Sequence, residues 1–81
     1  MVKVLLFGRL ADLAGWRERA VEGAPASLCA LRELLAAEDA ALGAALRGPG
    51  VQAAIDRRIV AADAALAQGA EVAFLPPMSG G

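Results

Sequence analysis

The segment Phe74-Leu75-Pro76-Pro77-Met78-Ser79-Gly80-Gly81 holds the residues of this chain best suited to chemistry. Two adjacent prolines donate no backbone hydrogen bonds and hold φ at about −65°, so the chain leaves Leu75 extended. Gly80 and Gly81 have no Cβ, and with Gly81 at the end the result is a stiff stem followed by a thin thread and a free carboxylate. Such a thread fits a channel that any side chain would block. The stretch Pro76, Pro77, Met78, Ser79, Gly80 and Gly81 is therefore the expected functional element of the chain. Gly-Gly alone is commonly a frayed terminus. The order of strand, proline pair and terminal glycines sets this one apart.

The rest of the chain has little catalytic equipment. There is no histidine, which removes the usual neutral-pH base and the commonest metal ligand. One cysteine allows neither an internal disulfide nor a cysteine-based zinc site, and no glycine-rich phosphate loop is present. Cys29 lies ~100° around a helix from Leu28, away from the leucine stripe, and is read as an incidental small residue. A terminal carboxylate is ionised at neutral pH and a poor electrophile. With this equipment the chain is expected to bind no metal and no cofactor of its own.

Eight basic and nine acidic groups give a net charge of −1, with no positive surplus to neutralise phosphates, so nucleic acid is not an expected partner. The longest uncharged run, residues 72–81, is far short of the ~20 needed to span a bilayer. Met1-Val2-Lys3 leads straight into a strand-like segment without a signal-peptide pattern. The expectation is a cytoplasmic protein with no membrane association.

Eighty-one residues hold one small domain. Val2 to Phe7 alternates as a strand, with Val2, Val4 and Leu6 on one face and Lys3, Leu5 and Phe7 on the other. Leu10, Leu13 and Ala14 recur at helical spacing before Gly15, with Trp16 packing back on that turn, and residues 17–22 read as an edge strand. Ser27 is placed to cap a helix over 28–38, and one stripe runs through Leu28, Leu31, Leu34, Leu35 and Leu42. A further turn carries Leu42 and Leu46 to the breaker Gly48-Pro49-Gly50. Val51, Ala53 and Ile55, then Ile59 and Val60, fit a hairpin across Asp56-Arg57-Arg58. An alanine-rich connection anchored by Leu66 leads to a last strand, Glu71 to Leu75. Leu28, Leu31, Leu35, Leu42, Ile55 and Phe74 are the expected core.

The pattern predicts an α+β two-layer roll, a mixed sheet of about five strands on one main helix. This layout resembles the β-grasp, or ubiquitin-like, architecture, with the domain over 1–75 and an extended, flexible tail over 76–81. If Val4 and Phe74 face the helix, then Leu5, Phe7 and Leu75 face outward, with Ile59 beside them. Such an apolar patch at the root of the tail marks a docking surface. Arg57 and Arg58, on the hairpin turn, could pair with a partner's acidic groups, although a solvated turn explains them as well.

Residues 69–81, ending Phe-Leu-Pro-Pro-Met-Ser-Gly-Gly, closely resemble the C-terminus of the MoaD family, the small subunits of molybdopterin synthase. Residues 2–15, Val-Lys-Val-Leu-Leu-Phe-Gly-Arg-Leu-Ala-Asp-Leu-Ala-Gly, resemble that family's first strand and short helix. Ala54-Ile55-Asp56 agrees too, although Asp56 stands where Asn is expected and Ala70 where Asp is frequent.

The resemblance implies a sulfur carrier. An E1-like (MoeB-like) adenylating enzyme would activate Gly81 with ATP and Mg, and a cysteine desulfurase or rhodanese-type donor would convert it to a thiocarboxylate. A MoaE-like large subunit would accept the tail and pass its sulfur to a cyclic pyranopterin, two small subunits flanking two large ones in a heterotetramer. Alternatives are a carrier for thiamin, transfer-RNA thiolation or cysteine, a protein modifier conjugated through Gly81, and an interaction module whose tail is idle.

Overall fold

The structure, a computed structural model, describes residues 1–23, 25–60 and 63–77. The described elements are β1 (Val2–Leu6), α1 (Arg9–Ala14), β2 (Glu18–Val21), α2 (Leu28–Glu38), α3 (Ala40–Leu46), β3 (Gln52–Ile55), β4 (Arg58–Val60) and β5 (Glu71–Leu75). The strands form one mixed sheet in the order β2-β1-β5-β3-β4. The first and last strands run parallel at its centre, with Leu5 opposite Ala73 and Leu6 opposite Phe74, and the other pairings are antiparallel. Helices packed on one face of such a sheet make the ubiquitin-like β-grasp.

The core follows from the two periodicities. Val2, Val4 and Leu6 of β1 and Val72 and Phe74 of β5 point to the helices, where they meet Leu28, Leu31, Leu35, Leu42 and Leu46, and none is more than 2% exposed. The Ser27 hydroxyl accepts from the Ala30 N–H at 3.1 Å and starts α2. Asp39 then turns a corner: its N–H closes α2 onto the Leu35 carbonyl, and its carboxylate caps α3 by accepting from Leu42 N–H at 3.1 Å. The leucine stripe is thus shared by two helices. They cross closely at Gly43, where a Cβ would collide with Ala36.

Several expectations change. Ile55 is half-buried at the sheet end rather than fully in the core, and Leu13 turns outward at 48% exposure while its neighbours Leu10 and Ala11 are buried. Trp16 is half-buried against the core with the Arg19 guanidinium 5.0 Å from its ring centroid. Of the connection from Ala61 to Ala70, Ala61 and Ala62 lie outside the described residues. Its remainder is stitched to the entry of α2: Leu28 N–H donates to Ala64 O, Leu66 N–H donates to Ala26 O, and the Asp63 carboxylate accepts from Cys29 N–H at 2.7 Å. Leu66 does pack against the core.

Candidate functional site

Where β5 ends, the proline pair does not leave the domain at once. Pro76 is half-buried and Pro77 exposed, and each is backed by a glycine from another part of the chain. Gly8 caps α1 at φ 56° and ψ −131°, backbone that glycine alone adopts readily. A Cβ there would stand 3.0 Å from Pro76 Cγ. Gly50, at φ 82°, closes the loop after α3, and a Cβ there would stand 2.7 Å from Pro77 Cβ. A side chain at Gly50 would force a shift against Pro77, and one at Gly8 would press on Pro76 more tightly than ordinary contacts do. Beside this seat runs an open groove of about 570 Å³, whose lining includes Leu10, Leu13, Pro49, Val51, Pro76 and Pro77.

Pro76 and Pro77 therefore lie against the folded body. Met78, Ser79, Gly80 and Gly81 lie outside the described residues. Nothing in the sequence around Gly8 or Gly50 signals the seat. Gly8 reads as the stop of a strand and Gly50 as part of a helix break, and only the folded chain brings them to prolines many residues away.

The outward face of the sheet carries a second candidate surface. Register places Leu5, Ala73, Ala54 and Ile59 side by side across β1, β5, β3 and β4. Phe7 and Leu75 continue it toward the stem, with Phe7 N–H donating to the Phe74 carbonyl at 3.3 Å. Phe7 is 45% and Ile59 55% exposed, while Leu5 and Leu75 are half-buried. The four expected residues are thus brought onto one face, and two alanines, Ala54 and Ala73, floor it. Lys3, between Glu18 at 3.6 Å and Glu71 at 4.0 Å, marks a polar border. Such exposed pairs contribute ~0–1 kcal/mol each and serve mainly to delimit the patch.

The two arginines separate. Asp56 and Arg57, at φ 49° and 71°, form the two-residue turn between Ile55 and Arg58, so Arg57 is at the tip. Arg58 is not on the turn as expected: it is the first residue of β4, opposite Ile55. Cross-strand partners share a face, so Arg58 stands on the helix side of the sheet and Ile59 on the outer side. Of the two, the register takes only Arg58 to the helix side.

Cys29 is exposed at the start of α2, and its N–H, rather than its thiol, makes the contact with Asp63. Among the described residues no group of three or more His, Cys, Asp or Glu side chains could hold a metal ion. No described helix is long and apolar enough to cross a membrane.

A family model described as the ThiS family matches residues 4–81. The molybdopterin synthase sulfur carrier subunit of Escherichia coli K12 is 36% identical over 81 residues, covering the whole of both chains. Among solved structures, SAMP1 from Haloferax volcanii superposes with a TM-score of 0.82 at 26% identity, covering 99% of this chain and 98% of that one. A Pyrococcus furiosus protein described as subunit 1 of a molybdopterin converting factor gives 0.79 at 30% identity, over 95% and 97% of the two chains.

Proposed function

This chain belongs to the ThiS family, and on that premise we propose that it carries sulfur on the carboxylate of Gly81 for molybdenum cofactor biosynthesis. The observation that carries the pathway is the end-to-end match, at 36% identity, to a molybdopterin synthase sulfur carrier subunit. In the reaction, the Gly81 carboxylate attacks the α-phosphate of ATP and releases pyrophosphate. A donor's persulfide sulfur then displaces AMP from the acyl-adenylate, and reduction of the resulting acyl disulfide by a thiol leaves the thiocarboxylate. The sulfur passes to the pyranopterin precursor as water restores the carboxylate. ATP, magnesium and the general base belong to partners, since this chain has no histidine and a single cysteine.

The large subunit of the synthase takes the tail, with Leu5, Phe7, Ile59 and Leu75 docking against it and Arg57 at the edge of that contact. Two such chains serve two large subunits. A fully extended tail reaches at most ~3.5 Å per residue, so a surface contiguous with the stem is where a tail-accepting partner must touch.

The test is accurate mass of the C-terminal peptide after incubation with ATP, magnesium, the adenylating enzyme and a sulfur source. A peptide is required because oxidation of Met1, Met78 or Cys29 mimics the replacement of oxygen by sulfur in the intact mass. A thiocarboxylate on Gly81 is expected. An unmodified Gly81, with enzyme and donor proven active on their own carrier, sinks the reading.

One observation favours a second reading. The superposition on SAMP1, a small archaeal modifier protein, supports conjugation of Gly81 to lysines of other proteins. Isopeptide-linked tryptic fragments bearing the chain's C-terminus, recovered from cells, would establish that role.

A further inference from the structure

We propose that Gly8 and Gly50 are positioning residues for the C-terminal tail: a two-point glycine seat that holds Pro76 and Pro77 and aims the residues after them. The proposal rests on the carrier reading only for its kinetic consequence. The geometry stands by itself, with a Cβ at Gly8 falling 3.0 Å from Pro76 Cγ and one at Gly50 falling 2.7 Å from Pro77 Cβ.

Two fixed points define a direction where one would define only a pivot. Pro76 and Pro77 each have φ held by their rings, so seating both leaves the stem with little rotational freedom. The four residues that follow then start from a set position and heading. A partner that threads them loses less conformational entropy on binding than it would with a free stem. The gain belongs to binding, so it appears in KM and not in the turnover of a tail already in place.

Backbone strain and loss of the seat can be separated within this chain. Gly50 and Gly69 have nearly the same φ, 82° and 84°, but a Cβ at Gly69 would meet nothing within 4 Å. Gly69→Ala therefore carries the left-handed strain alone, whereas Gly50→Ala carries the same strain and also displaces Pro77.

The experiment measures ATP–pyrophosphate exchange by the adenylating enzyme at increasing concentrations of full-length chain. For Gly50→Ala the apparent KM should rise about tenfold with kcat within about twofold of the unsubstituted chain, while Gly69→Ala changes neither. An unchanged KM in Gly50→Ala, or an equal rise in Gly69→Ala, overturns the seat. If Gly50→Ala does not fold, Pro77→Gly empties the seat from the other side and should give the same rise; an unchanged KM there also overturns it. If the unsubstituted chain supports no exchange with an enzyme proven active on its own carrier, the carrier reading fails and the seat is decided by NMR. The amide resonances of Met78 to Gly81 should then move in Gly50→Ala and stay in place in Gly69→Ala, and the reverse pattern or no movement rejects it.

Discussion

Asp56 and Glu71 exchange two hydrogen bonds: Asp56 N–H donates to the Glu71 carbonyl at 2.8 Å, and Glu71 N–H donates to Asp56 Oδ1 at 3.0 Å. The contact ties the β3–β4 turn to the first residue of β5, the strand that leads to the stem. It also accounts for the residue type, because Asp and Asn tolerate the left-handed backbone that Asp56 adopts at φ 49°. Asp56→Asn keeps the acceptor and should be close to neutral. Asp56→Ala should cost about 2 kcal/mol through the lost acceptor and the backbone penalty together. Urea unfolding measures both, and hydrogen exchange at the Glu71 amide should accelerate only in the alanine variant.

At the crossing of α2 and α3, Gly43 leaves no room for a methyl group against Ala36. On an exposed helix, glycine to alanine would stabilise. Here, overpacking should win, and Gly43→Ala should lower stability by about 1–3 kcal/mol. A thermal melt that moves upward instead would show that the two helices can part without loss.

If the outer face docks the partner as proposed, substitutions on it separate binding from stability. Phe7→Asp and Ile59→Asp change exposed side chains, so unfolding free energy should stay within about 0.5 kcal/mol of the unsubstituted chain. Affinity for the large subunit, measured by titration calorimetry, should fall at least about tenfold in each. Arg58→Ala, on the other side of the sheet, should leave that affinity unchanged.

The start of α2 has two oxygen acceptors from different parts of the chain, the Ser27 hydroxyl and the Asp63 carboxylate. Ser27→Ala and Asp63→Ala should each cost about 1 kcal/mol, as lost helix caps do. Both acceptors serve one helix end, so the double variant should depart from additivity. Denaturant midpoints of the two singles and the double decide it.

Much of the fold is legible from local pattern. The alternation of Val2, Val4 and Leu6, the leucine stripe from Leu28 and the Ser27 cap each depend on neighbours a few residues away, and each is found where the pattern puts it. The outer patch is legible for the same reason: once Val4 and Phe74 face the helices, the two-residue period sends Leu5, Ala73 and Leu75 to the other side. Arg58 shows the limit. A shift of one residue in a turn boundary moves a side chain through the sheet, and the residues Asp56-Arg57-Arg58 do not state which of them still pairs.

The sequence by itself determined the element types and the buried stripe, because these follow from short periodicities, and its Pro-Pro stem running to Gly-Gly carried the family resemblance from which the sulfur-carrier chemistry was expected. Only the tertiary structure decided that β1 lies beside β5, that Asp63 caps a helix it does not belong to, and that Gly8 and Gly50 lie beneath Pro76 and Pro77. Those contacts join residues far apart in the chain, and their geometry is set by the packing of the whole domain, on which local propensity has no bearing.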